Sequence, residues 1–300
     1  MTAPFGPARW AYEITHVLNA AFGAERFPID IAEIAKLYSK QRYPDDPIIG
    51  ISGDDLPKFD GALFRAPDGR KGWGIIYNNR IRSQGRINFT LAHEFGHYLL
   101  HRQAYPNGFY CGQQDVVRWD SEYGQIEHQA NVFAANFLMP LDDFRRQISA
   151  NAKVDLDIIA HCADRYRVSL IAAVLRWLSY TEKRAVLVVA RDGYILWARS
   201  SEAALKTGAF FRTSAGPIEI PAASLPIRQD LLVDGRAAVD HDRGVWFKEP
   251  VREMTVFAEQ YDFSISLLLL DDARPFTAFG SESEPDTFDK MVQVARRREW

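Results

Sequence analysis

The chain has 300 residues, 47% of them hydrophobic and 25% charged, an ordinary globular composition that excludes wholesale disorder. Its 36 basic and 39 acidic side chains leave a net charge of -3, which argues against a protein whose main task is coating nucleic acid. Two cysteines, Cys111 and Cys162, are too few for a disulfide framework. The most apolar run, Ile265 to Leu270, is far too short to span a bilayer and no targeting segment is visible, so the cytoplasm is the expected compartment.

Trp10 to Phe22 reads as a helix. A second begins after Asp30, an N-cap candidate with Glu33 three residues on and Ile34, Leu37 and Tyr38 at helical spacing. β-prone runs follow at Ile48 to Ser52, Phe59 to Phe64 and Trp73 to Tyr77, with Pro67-Asp68-Gly69 as the turn between the last two. Helical spacing returns at Ile87, Leu91, Phe95 and Leu99, and a long loop runs from Arg102 to about Gly124. Ile126, Ala130, Phe133 and Phe137 mark the next helix, which ends at Pro140. Three shorter helices are expected at Asp142 to Ile148, Leu156 to Tyr166 and Leu170 to Tyr180, the last pair with helix–turn–helix character and Ser169 as cap.

The pattern changes after Thr181. Ala185 to Ala190 and Tyr194 to Ala198 flank Asp192-Gly193, a hairpin signal. Further strands are expected at Val245 to Phe247, Met254 to Phe257 and Ser264 to Leu270, and a last helix at about Thr287 to Arg298. The expected organisation is a first domain at 1–180 and a β-rich α+β domain at 185–300.

The chemistry sits in Thr90-Leu91-Ala92-His93-Glu94-Phe95-Gly96-His97-Tyr98, a His-Glu-x-x-His motif on a helix. On an α-helix His93 and His97 lie ~40° apart around the axis and ~6 Å apart along it, so both imidazoles can reach one ion. Glu94 is one residue round, placed to take a proton from water. Gly96 removes a side chain where the helix must pack closely.

A zinc site needs a third protein ligand. Glu127 is the choice, on a stripe with Asn131 and Ala134 along the following helix; Glu122, Asp120, Asp115 and His128 compete with it. Asn131, one turn on, is placed to orient a ligand. His101, ~80° from His93 around the axis, is expected to face outward. The Trp73 to Asn78 strand, with Trp73, Ile75 and Tyr77, is an edge candidate onto which an extended substrate adds. Tyr98, Tyr110, Tyr123 and Arg86 are candidate oxyanion donors. Zinc is preferred on ligand type, although such a donor set also accepts manganese.

The run Arg86 to His101, followed by Glu127-His128-Gln129-Ala130-Asn131-Val132-Phe133-Ala134-Ala135-Asn136-Phe137-Leu138-Met139-Pro140, resembles the ImmA/IrrE family of metallopeptidases over roughly Pro28 to Tyr180. The resemblance implies a gluzincin-like α+β core of a small antiparallel sheet and active-site helices, with His93, His97 and Glu127 as ligands and Glu94 catalytic. It also implies a substrate, a helix-turn-helix repressor whose cleavage induces mobile-element or stress-response genes. Gln129 departs from the family's usual acidic residue. Some members carry a GAF-type sensor domain at the C-terminal end, which is an analogy for 185–300.

Competing readings are a non-cleaving, metal-containing regulator or adaptor, and a peptidase acting on a toxin or a damaged protein. Direct DNA binding is not expected, because Leu170-Ile171-Ala172-Ala173-Val174 carries no basic or polar reading face. Since the constellation is complete before Pro140, the C-terminal half is expected to regulate or dock substrate, not to build the active site.

Overall fold

The computed structural model describes residues 5–67, 69–112, 122–258 and 262–272. Two helices, α1 (Pro7–Phe22) and α2 (Ile31–Arg42), precede three strands, β1 (Ile48–Asp54), β2 (Phe59–Arg65) and β3 (Trp73–Asn78). The Asp30 carboxylate accepts from the Glu33 amide at 2.9 Å, which satisfies one of the donors left open at the start of α2. Then come α3 (Gln84–Leu100), β4 (Gly108–Gly112), α4 (Glu122–Leu138), α5 (Leu141–Gln147), α6 (Leu156–Tyr166) and α7 (Leu170–Leu178).

These strands form a four-stranded sheet in the order β1-β3-β2-β4. β2 is antiparallel to β3 and to β4, but β1 is parallel to β3, so the sheet is mixed and not wholly antiparallel as expected. Strand order also corrects the edge assignment. Trp73, Ile75 and Tyr77 lie on an interior strand whose backbone is paired with β1 on one side and β2 on the other. No edge is left there for a substrate strand, because every ladder group of β3 already has a neighbour. The sheet's edges are β1 and β4.

α3 lies against both β2 and α4. Phe95 meets Phe133 at 5.6 Å and Phe137 at 6.0 Å between ring centroids, all three fully buried. Each such ring contributes roughly 1.5–3 kcal/mol by leaving water. Gly96 sits at this crossing. A Cβ there would lie 3.0 Å from the Phe133 ring and 3.3 Å from Ala130 Cα, so a larger residue would force the helices apart.

The second sheet has the order β6-β5-β9-β8-β7, antiparallel throughout, from β5 (Ala185–Arg191), β6 (Tyr194–Ser200), β7 (Arg236–His241), β8 (Val251–Ala258) and β9 (Phe263–Leu270). A short helix, α8 (Glu202–Lys206), follows β6. The β5–β6 turn uses Asp192 and Gly193, both at positive φ (53° and 81°), which matches the twist of a tight hairpin. Val245 to Phe247, expected as a strand, is a series of bends, and β7 takes the edge position instead. The helix expected at Thr287 to Arg298 lies outside the described residues.

β5 and β9 are buried on both faces, and alternate residues enter different cores. Ala185, Leu187, Ile265 and Leu267 join the cluster that contains Phe95, Phe133 and Trp177. Val186, Val188, Leu268 and Leu270 pack with Ala204, Ile220 and Trp246 in a second cluster. The helical half and the C-terminal sheet therefore share one continuous core along the first face. No helix among the described residues is long and apolar enough to cross a membrane.

Candidate metal centre

α3 is started by Ser83, whose hydroxyl accepts from the Arg86 amide at 3.3 Å. From that start the helix carries His93, Glu94 and His97 inward, at 7%, 0% and 0% exposure. β2 passes close to the same helix. A Cβ on Gly61 would lie 2.5 Å from Thr90 and 3.1 Å from Glu94 Oε1, so the glycine lets the sheet approach the glutamate.

α4 brings Glu127 to the two histidines. Its Oε2 lies 3.2 Å from His93 Nε2, its Oε1 lies 3.2 Å from His97 Nε2, and the two Nε2 atoms are 2.9 Å apart. All three side chains are buried, and they are the one such group of possible ligands among the described residues. Tetrahedral zinc with bonds of ~2.0–2.1 Å places neighbouring donors ~3.3 Å apart, so two imidazoles and a carboxylate in this arrangement fit the ion.

The local electrostatics follow from crowding three polar groups into an apolar interior. Burial pushes the His97 imidazole down to about 4, and the pull of Glu127 does not offset burial together with His93 and His101. His93 is also pushed down by burial, but its hydrogen bond to Glu127 and the charges of Glu94 and Glu127 leave it above its ordinary value. Glu127 is raised by burial and then lowered more strongly by the two imidazoles, which hold it well below the usual carboxylate range.

The far nitrogens of both rings are also engaged. His93 Nδ1 is 2.9 Å from Asn131 Oδ1, an acceptor, so Nδ1 carries the proton and Nε2 is left as a lone-pair donor. His97 Nδ1 is 3.0 Å from His101 Nδ1, and His101 Nε2 is 3.1 Å from Gln129 Oε1. With Nε2 of His97 turned to the ligand group, one proton order satisfies the chain: His97 donates to His101, and His101 donates to Gln129.

His101 thus differs from expectation. It is 6% exposed, capping the end of α3 between His97 on its own helix and Gln129 on α4. Gln129 thereby reaches the far nitrogen of a histidine that itself touches a candidate ligand.

Other candidates separate clearly. His128, the neighbour of Glu127, is exposed. Asp115, Asp120 and the side chain of Glu122 lie outside the described residues, as do the side chains of Tyr110 and Cys111. The Tyr98 hydroxyl donates to the Asp46 carbonyl at 2.8 Å, on the side of α2 and β1, so it is not an oxyanion donor. Arg86 is held by Asp60 through Nε at 2.9 Å and Nη2 at 2.6 Å. Tyr123 is half-buried at the start of α4.

Residues 45–178 match the family model described as the IrrE N-terminal-like domain, Peptidase_M78. Comparison with curated proteins gives no match.

Proposed function

From the match of residues 45–178 to that family model, we propose that the chain is a zinc-dependent endopeptidase of the ImmA/IrrE family, acting in the cytoplasm on a helix-turn-helix repressor. The observation that carries this reading is the buried His93, His97 and Glu127 group with Glu94 on the same helix, one residue from a ligand. A zinc ion held by those three side chains would polarise the scissile carbonyl and bring the pKa of a water toward 7. Manganese fits the donor set less specifically.

The chain's own residues do the rest. Glu94 is the general base: fully buried beside the ligand histidines, it accepts the water's proton and passes it to the leaving amine. Asn131 holds the His93 ring in one tautomer, so its Nε2 stays a lone-pair donor. A substrate strand would add at β4, the edge strand paired with β2, which itself lies against α3. The C-terminal sheet, which shares the main core with the helical half, docks or selects the substrate.

α6 and α7 serve packing and not DNA reading, since Ile159, Cys162 and Tyr166 of α6 and Ala173, Val174 and Trp177 of α7 are buried in the main core. The repressor itself comes from the family resemblance, and the role it implies for the peptidase is to induce mobile-element or stress-response genes by cutting that repressor.

Purified zinc-loaded protein incubated with a small helix-turn-helix repressor encoded nearby should cut it at one or a few sites and spare casein. Glu94→Gln should keep the metal and lower the rate by about 10²–10⁴-fold, the usual contribution of a positioned base. Near-wild-type cleavage by that variant would remove the base assignment, and comparable casein digestion would point to a quality-control peptidase.

A further inference from the structure

Beside the metal centre lies an apolar groove of about 380 Å³, walled by Phe89, Ile171, Ala172, Leu175 and Phe263, with Arg86 at its margin. Three elements meet there: the N-terminal half of α3, the first two turns of α7, and the first residue of β9. All five apolar residues are half-buried, at the border of the main core and not inside it.

Two observations tie this groove to the reaction. Phe89 is one helical turn before His93, and its ring stands 6.3 Å from the His93 ring, so the groove and the ligand group share a wall. The margin is also electrically quiet: the Arg86 guanidinium is paired with Asp60, which leaves its charge compensated. The hydroxyls of Ser83 and Ser169, which also line the groove, cap helices by accepting from the Arg86 and Ala172 amides. No uncompensated charge therefore faces an occupant, and a carboxylate or ammonium would lose hydration without an opposite charge to meet. An aliphatic or aromatic side chain would gain by leaving water.

Resting on the reading of the His93, His97 and Glu127 group as a peptidase centre, we propose that this groove receives an apolar side chain of the substrate polypeptide next to the bond that is cut. Its occupant is a Leu-like or Phe-like residue, for which the volume is sufficient. Phe263 makes the proposal particular to this chain. It lies beyond the matched residues 45–178 and brings β9 of the C-terminal sheet into the choice of cleavage site. The sheet then selects substrate by lining the cleft, and cleavage-site preference is a property of both halves together.

Zinc-loaded full-length protein can be titrated with peptide hydroxamates that differ in one side chain, Leu, Gly or Asp. The hydroxamate anchors on the metal, and binding is read by calorimetry without turnover. The Leu compound should bind at least ~10-fold tighter than the Gly compound, in line with what apolar pockets discriminate, and the Asp compound no tighter than Gly. Phe263→Ala, which removes one wall, and Ala172→Trp, which fills the groove, should each bring the Leu-to-Gly ratio toward one. The Gly compound, which places nothing in the groove, reports whether each variant keeps its fold and metal. Equal binding of Leu and Gly by the wild type would overturn the proposal, as would a ratio unchanged in whichever variant still binds the Gly compound. Failure of the peptidase reading would look different, with the side-chain preference intact and no peptide cut.

Discussion

Among the described residues two buried glutamates meet histidines, Glu127 with His93 and His97 and Glu253 with His241, and the first group alone is arranged to take an ion. Glu253, on β8, is fully buried. Its Oε2 accepts from His241 Nε2 at 2.7 Å, Trp246 Nε1 at 2.9 Å and the Leu225 amide at 3.3 Å. Its Oε1 accepts from Thr255 at 2.9 Å and Ser266 at 3.3 Å. A carboxylate offers about four lone-pair sites, so those donors saturate it. Glu127 is the opposite case. Each of its oxygens faces a different imidazole, and the two imidazole nitrogens face each other, so several lone pairs converge on one place. A buried His–Glu contact is therefore not a metal site by itself. What separates the two is whether the remaining partners are donors that fill the carboxylate or acceptors that compete for a cation.

The largest expected effect tests the saturated pair. Removing one partner of a buried, hydrogen-bonded charge typically costs ~3–5 kcal/mol, so Glu253→Ala should lower folding stability by about that amount. The folded fraction should still bind one zinc per chain. Glu127→Ala should do the reverse, losing the metal and the stabilisation that zinc adds. Denaturant melts with and without zinc, together with metal analysis, read both. A Glu253 variant that melts like wild type, or one that folds but loses zinc, would collapse the distinction.

The contrast also explains what was readable in advance. His93, Glu94 and His97 lie within five residues, and Glu127 and Asn131 lie one turn apart, so a helical period places each set on one face without tertiary information. The Glu253 network draws on Leu225, His241, Trp246, Thr255 and Ser266, which only the strand order of the second sheet brings together. Trp246 falls in the stretch expected as a strand, whereas its bends are what let the indole reach Glu253. The interior position of β3 was hidden for the same reason. Its sequence reads as a strand either way, and the parallel β1 that covers its edge arrives through a connection that carries no pairing signal. The ideal helical angle points His101 outward, and the Gln129 that receives it belongs to another helix, which the local pattern of α3 does not show.

A middle-sized effect probes how the open pair is held. Asn131 accepts from His93 Nδ1 and fixes which nitrogen is free. Partners of this type usually contribute 10–100-fold to metal affinity, so Asn131→Ala should weaken zinc binding by roughly that factor while Asn131→Asp, which keeps an acceptor oxygen, retains it. Competition with a chelator measures the constants. If the alanine variant binds zinc as the wild type does, the hydrogen bond is only a helix–helix contact.

The smallest expected effect is the pH dependence of zinc uptake, and its sign follows from the two imidazoles. A ligand must shed its proton before it can donate a lone pair, so protons compete with zinc wherever a ligand is protonated. His93 sits above the ordinary histidine value, held there by Glu127 against the cost of burial, and so it carries a proton at mildly acidic pH. His97 is pushed down to about 4 by burial, and Glu127 lies below the usual carboxylate range, so neither competes until the solution is far more acidic. Between pH 7 and pH 5 one proton should therefore be displaced per zinc, and affinity should fall by ~10-fold per pH unit as pH drops below the His93 value. A steeper, two-proton dependence should appear only as pH approaches 4, where His97 begins to take its own proton. Chelator competition across pH 4.5 to 8 reads the slope, and calorimetry in buffers of different ionisation enthalpy counts the protons released. A flat profile from pH 7 to 5 would mean that His93 is neutral there and that Glu127 does not hold its proton. A slope of two over the same range would mean that both imidazoles are charged, and the ordering of His93 above His97 would have to be abandoned.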